Sequence, residues 1–148
     1  MVSEREQGEL IVDRDILWAK ISFMHRHVDR IKAKSDVALQ EFMQDLDRQE
    51  SVLFNLQMAV QNCIDLAAHI VAEQGLGVAG STNELFYLLE EQGYISQQLT
   101  EKMVQAVGFR NLVAHEYGKL DLEIVFRVCQ ENVEDLEEFS RTIGERFG

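Results

Sequence analysis

Proline is absent from all 148 residues, and the nine glycines mostly lie between periodic segments or at the chain ends. Little is left to punctuate a many-stranded β fold, so long helices with short connections are expected. Only two cysteines occur, Cys63 and Cys129, far apart and each in an apolar-periodic stretch. They read as small core residues of a reduced, cytoplasmic protein, not as a disulfide framework. No apolar run approaches a membrane span, and the N-terminus is too charged for a signal peptide, so no membrane partner is expected. Cofactor and metal signatures are missing too. There is no glycine-rich phosphate loop and no Cys-x-x-Cys pair, and no Glu precedes a histidine by three residues as in a carboxylate-bridged di-iron bundle. His25 and His27 are two apart, which on a helix turns them ~160° from each other, a poor metal pair. Neither a cofactor nor a metal is therefore expected.

Cations are scarce as well. Fourteen Lys and Arg face twenty-six Asp and Glu, a net charge of −12. Affinity for phosphates comes largely from Lys and Arg, so such a chain is a poor general nucleic-acid binder. The charge is uneven, however. Arg14, Lys20, Arg26, Arg30, Lys32 and Lys34 share one stretch with only Asp15 and Asp29, whereas the chain from Asp121 onward is acidic. Arg26, Arg30 and Lys34 recur every four residues along one helix face, a candidate basic edge for a phosphate backbone.

One domain is expected from this length. Met1–Val12 reads as a polar tail whose Leu10, Ile11 and Val12 dock on the body. Asp13 is placed to cap a first helix reaching Lys34, with Ile16, Leu17, Ile21, Met24, Val28 and Ile31 inward and Trp18 and Phe23 widening the stripe. A short helix carries Val37, Leu39, Phe42, Met43 and Leu46. Asp47 and Glu50 have capping-box spacing and should open the longest helix, to about Glu73. A second capping box, Ser81–Glu84, starts a short helix that Gly93 closes. Ser96 caps the next helix, for which Gly118 is a left-handed stop. Asp121 caps a last helix, apolar at Leu122, Val125, Phe126, Cys129, Val133, Leu136, Phe139 and Ile143. With no alternating strand pattern and no repeats, the class is all-α, an up-and-down helical bundle with additional short helices.

Site-capable chemistry concentrates in F-R-N-L-V-A-H-E-Y, Phe109–Tyr117. Arg110 offers a permanent cation with a planar fork suited to phosphate. His115 is the side-chain type whose ordinary pKa suits proton transfer near neutrality. Asn111 lies within ~40° of His115 around a helix, whereas Arg110 and Tyr117 fall on a well-separated face. An unbroken helix does not bring all four together. Either the helix loosens before Gly118, Arg110 reaches across on its stem, or a second chain completes the site. A structural reading remains open: Arg110 in an ion pair with a carboxylate of the last helix, His115 at a helix C-terminus that favours imidazolium, and Tyr117 packed beside Gly118.

This motif resembles that of the HEPN superfamily of α-helical ribonucleases and, within it, the HepT toxins of HepT–MntA toxin–antitoxin pairs. Leu56–Val71 resembles the HepT central helix, and the run Lys119–Phe126 is similar too, so the resemblance extends from about Asp47 onward. It implies a HEPN-type bundle acting as a homodimer on RNA without metal. Arg110 and His115 would be catalytic and Asn111 supporting. Tyr117 would accept AMP from a minimal nucleotidyltransferase antitoxin of the MntA type. The alternative is a catalytically silent helical partner, or nucleotide-binding subunit, of that nucleotidyltransferase. The stripe Gln57, Gln61, Asp65 and His69 reads as a solvated seam or, with Asn62, as the polar lining of a cleft.

Overall fold

The computed structural model describes residues 13–148, and the expected docking of Leu10, Ile11 and Val12 lies outside them. Among the described residues there are seven α-helices and no strand. They are α1 (Arg14–Ser35), α2 (Leu39–Gln44), α3 (Leu46–Glu73), α4 (Thr82–Glu91), α5 (Gln97–His115), α6 (Leu122–Glu131) and α7 (Val133–Phe147), with a 3₁₀ turn at Tyr117–Lys119.

Helices α1, α3, α5 and α7 form the bundle. Helix α3 packs on α1, α5 and α7, and α7 closes the ring onto α1 and α5. The expected inward positions of α3, from Val52 and Leu53 through Ile70 and Val71, are all buried. Aromatic rings join the short helices to this core. Phe42 of α2 meets Phe126 of α6 at 5.2 Å, and Phe86 of α4 meets Phe139 of α7 edge-on at 5.4 Å. The fully buried rings Phe42, Phe86 and Phe139 each stabilise the fold by roughly 1.5–3 kcal/mol. Cys63 and Cys129 are buried and unbridged.

Several expected features differ. The long helix is capped by Asp45, not Asp47: Asp45 Oδ1 accepts from the Arg48 backbone N–H at 3.1 Å. Buried Gln49 donates to the Phe42 carbonyl at 2.9 Å, which draws the start of α3 back against the end of α2. Asp45 is at once the C-terminal cap of α2 and the N-terminal cap of α3. The second capping box forms only in part. Ser81 Oγ accepts from Glu84 N–H, but the Glu84 carboxylate returns to Gly80 N–H at 2.7 Å instead of to the cap residue.

The expected last helix is two helices, interrupted at Asn132, whose ψ of −12° departs from helical geometry. Val125, Cys129, Val133 and Leu136 are buried on both sides of the break, so the apolar period runs through it unchanged. Gly118 is no left-handed stop. Positive φ belongs to Gly75, Gly77 and Gly93, whereas α5 ends at His115 and Gly118 lies inside the 3₁₀ turn. Trp18 and Phe23 do not widen the buried stripe of α1, being about half exposed, and in α2 only Phe42 is buried. Met24 of α1 is buried as expected, but Met43 of the short helix is exposed.

Two expected outcomes test these assignments. Asp45→Ala should lower stability by about 1 kcal/mol through loss of the cap, while Asp47→Ala should stay within about 0.5 kcal/mol. Equal losses in urea unfolding would refute the cap assignment. Burial pushes the Cys129 thiol up to about 12 and raises Cys63 as well. A thiol raised in the fold but ordinary in the unfolded chain withdraws stability as pH climbs from about 9 toward 12. Neither cysteine of the native protein should therefore react with a thiol-specific chromogenic reagent near pH 8, although both should react in denaturant.

Candidate functional site

The site begins with the reason α5 forms where it does. Ser96 Oγ accepts from Leu99 N–H at 3.1 Å, and Thr100 Oγ1 returns a bond to the Ser96 carbonyl at 2.8 Å. Leu99, Met103, Val107 and Val113 hold one side of α5 in the core. Phe109 is half-buried and lines a cavity of about 210 Å³ with Leu56, Val60, Val128 and Leu136. Three helices therefore grip the segment that carries the motif.

Arg110 lies between Val107 and Val113 on this core-facing side and is half-buried. Its Nε is enclosed and has no hydrogen-bond partner. The ion pair to the last helix is not formed. Among the described residues, Asp135 and Glu138 of α7 lie 3.7 Å from Lys102 instead, and Glu137 bonds Lys32 at 2.8 Å. A buried donor left without an acceptor costs about 1–3 kcal/mol, a cost that an incoming anionic oxygen would offset. Asn111 and His115 are exposed on the solvent side, Leu112 beside them. His115 is the last residue of α5, and the chain then leaves the helix at Glu116 with φ −131° and ψ 37°.

Helix α5 thus ends before Gly118. Tyr117 opens the 3₁₀ turn with 51 % of its surface exposed, off the helix that carries Arg110 and His115. Half-buried Leu120 and the Asp121 cap on Glu123 and Ile124 fasten the chain again immediately afterwards. The phenol stands on a short tether between two anchored helices.

The polar stripe of α3 is not drawn toward this motif. Gln61 donates to Asp65 at 2.9 Å, Asp65 faces Lys20 of α1 at 3.4 Å, Asn62 bonds the Met58 carbonyl, and His69 sits 3.7 Å from Glu73. Among the described residues, only Asp65 of the stripe pairs across to α1. Arg26, Arg30 and Lys34 are all exposed on α1, and Arg26 lies over the Phe23 ring at 5.2 Å. His27 turns away from His25 to bond Asn55 at 2.8 Å. No group of three or more potential metal ligands occurs among the described residues, and no helix there is long and apolar enough to cross a membrane. The sequence offered no signal for the Phe109 cavity, because its walls come from four helices.

Comparisons with known proteins show the family of the chain. The chain is 39% identical over 125 residues to the mRNA nuclease HepT of Shewanella oneidensis, spanning 84% of this chain and 93% of that protein. It is 24% identical over 111 residues to the tRNA nuclease HepT of Aphanizomenon flos-aquae, covering 75% of this chain and 76% of the relative. Its fold superposes with a TM-score of 0.83 on the tri-AMPylated Shewanella oneidensis HEPN toxin in complex with its MNT antitoxin, at 38% identity over 88% of this chain and 98% of that one. The family model described as Ribonuclease HepT-like matches residues 24–143, from the middle of α1 to the last turns of α7, and the chain belongs to that family.

Proposed function

We propose that this chain is the toxin of a toxin–antitoxin pair, a cytoplasmic endoribonuclease that acts as a homodimer. The observation that carries the reading is Arg110: a half-buried guanidinium with an enclosed, unpartnered Nε, on the same helix as an exposed His115 five residues later. No ion pair makes Arg110 structural among the described residues, and Asp135, Glu137 and Glu138 of α7 face Lys102 and Lys32 instead.

RNA cleavage by transesterification needs a base for the 2′-OH proton and an acid for the leaving 5′-oxygen, with a cation for the charge building on phosphorus. The 2′-oxygen attacks phosphorus and the bond to the 5′-oxygen breaks, leaving a 2′,3′-cyclic phosphate and a 5′-hydroxyl. One His115 supplies one proton-transfer group. A two-fold dimer that sets two motifs face to face supplies both, together with two guanidinium groups. Asn111 orients the reacting groups by hydrogen bonding. All the roles are filled by side chains, so the reaction runs without metal.

Control rests on Tyr117. Its phenol oxygen attacks the α-phosphorus of ATP bound to a partner nucleotidyltransferase of the MntA type, and pyrophosphate leaves. A Shewanella oneidensis relative is known in a tri-AMPylated state with its antitoxin, which supports this route. The exposed position of Tyr117 on its turn suits modification, and the added phosphate competes with RNA for Arg110. The net charge of −12 favours a second reading, a catalytically silent partner of the nucleotidyltransferase.

Purified, unmodified protein should cleave single-stranded RNA in the presence of a chelator. Arg110→Ala and His115→Ala should each reduce the rate at least about 100-fold, with helicity and dimerisation intact. Cleavage that survives both changes, or that requires an added divalent ion, would remove the mechanism. With ATP and the partner, mass spectrometry should place AMP on the peptide containing His115–Tyr117. Tyr117→Phe should remain active and resist silencing. Silencing of that variant as readily as the native chain would make Tyr117 structural and leave occlusion by the partner as the means of control.

A further inference from the structure

The α1–α3 face is poor in carboxylates at its middle yet leaves two aromatic rings uncovered. Lys20, Phe23, His27, Arg30 and Lys34 succeed one another at three- and four-residue steps along α1, so they share one side of the helix. Helix α3 runs antiparallel beside them. Lys20 pairs with Asp65, His27 with Asn55, and the Lys34 carbonyl accepts from Arg48 at 2.8 Å. By that pairing, Asp65 lies toward one end of the face and Asp47 and Glu50 toward the other. Its middle carries Arg26, Arg30, Phe23 and Phe54. Phe23 is 44% exposed and Phe54 57% exposed.

These rings are held rather than loose. The Arg26 guanidinium lies 5.2 Å over Phe23, and the His27 ring meets Phe54 edge-on at 6.2 Å. His27 is fixed in turn: its Nδ1–H donates to Asn55 Oδ1 at 2.8 Å, while buried Asn55 donates to the Ser51 carbonyl at 2.7 Å. A planar cation on an aromatic ring, with a second aromatic pair about 6 Å further along the helix, offers successive flat surfaces beside a row of positive charge. Arg26, Arg30 and Lys34 have no carboxylate ion-pair partner among the described residues.

The geometry points to a single-stranded RNA platform on which bases stack at Phe23 and at Phe54–His27 while Arg26, Arg30 and Lys34 hold the phosphates. It rests on the ribonuclease reading and adds a base-contacting surface remote from the motif on α5. Charge complementarity selects the occupant. In a chain of net charge −12, this cationic strip attracts a polyanion. A second copy docked here about a two-fold axis would set Arg26 and Arg30 against their own counterparts. Stacking is tolerant of sequence because every base has a π-face, so the platform would govern affinity for single strands rather than the cleavage position.

The test uses the full chain and an uncleavable probe, a short 2′-O-methyl oligoadenylate, with inorganic polyphosphate as a base-free polyanion. Native protein should bind the oligoadenylate more tightly than the polyphosphate. Phe23→Ala and Phe54→Ala should each weaken oligoadenylate binding about tenfold and leave its salt dependence unchanged. Phe23→Leu and Phe54→Leu, which keep apolar surface and lose only the ring, should behave likewise. Arg30→Gln should instead lower the salt slope by about 1 for both probes. Unaltered oligoadenylate binding by all four phenylalanine variants, with circular dichroism matching the native chain, would overturn the platform. So would a change in oligomeric mass, which would make this face a self-association surface, or a loss confined to nucleotidyltransferase binding. Cleavage of RNA by the native protein is scored separately. Ring-dependent binding without cleavage would uphold the platform and remove only the ribonuclease reading, whereas cleavage with ring-independent binding would do the reverse.

Discussion

Helix α3 must be enclosed on most of its circumference, and the other elements are arranged to enclose it. From Val52 to Val71 it presents buried residues to α1, α4, α5 and α7, and no single neighbour can cover such a wide apolar face. The long antiparallel contact with α1 covers one flank, α5 and α7 cover others, and the short helices fill the ends through aromatic pairs. The position of the motif follows from this. Phe109 and Val113 of α5 are held against the bundle, so Arg110 between them faces inward while Asn111 and His115 face out. An inward cation and an outward imidazole on one stretch of helix are a result of core packing before they are a matter of chemistry.

What the sequence discloses and what it conceals divide along the same line. Class, helix number up to the last element, and the inward set of α3 follow from the three-and-four recurrence of apolar residues, a pattern that burial itself imposes. The break at Asn132 is invisible to that pattern because Cys129, Val133 and Leu136 stay in phase across it. The start of α3 was hidden for another reason. Asp45 and Asp47 are equally good caps locally, and the choice is made by Gln49 reaching the Phe42 carbonyl, a contact between elements. Trp18 and Phe23 fit an apolar stripe by type but lie on its shoulder, where they stay about half exposed. At the motif, the residue types marked Arg110 and His115 as chemically capable. Only the structure could show that Asp135, Glu137 and Glu138 of α7 face Lys102 and Lys32.

The acidic balance of the chain no longer conflicts with a phosphate-bearing ligand once its distribution is considered. Much of the negative charge of α7 faces lysines of α1 and α5, which ties the bundle's outer helices together. Individually these half-exposed pairs contribute little, about 0–1 kcal/mol. Among the described residues, Arg110 and Arg26, Arg30 and Lys34 of the α1 strip take no part in these ties. The acidic remainder keeps the protein soluble and discourages indiscriminate adhesion to nucleic acid.

Asp45 closes α2 and opens α3, and the same side chain lies 3.4 Å from the Arg48 guanidinium. A residue shared in this way removes the possibility of independent fraying. If α2 unwinds, the first turn of the longest helix loses its acceptor, and if that turn unwinds, the amide that ends α2 loses its geometry. The corner therefore opens as one cooperative unit, with backbone amides on both sides of it exchanging with solvent at a common rate. Short helices at the margin of a bundle are ordinarily its least protected parts, and here a single aspartate binds the least protected helix to the most protected one.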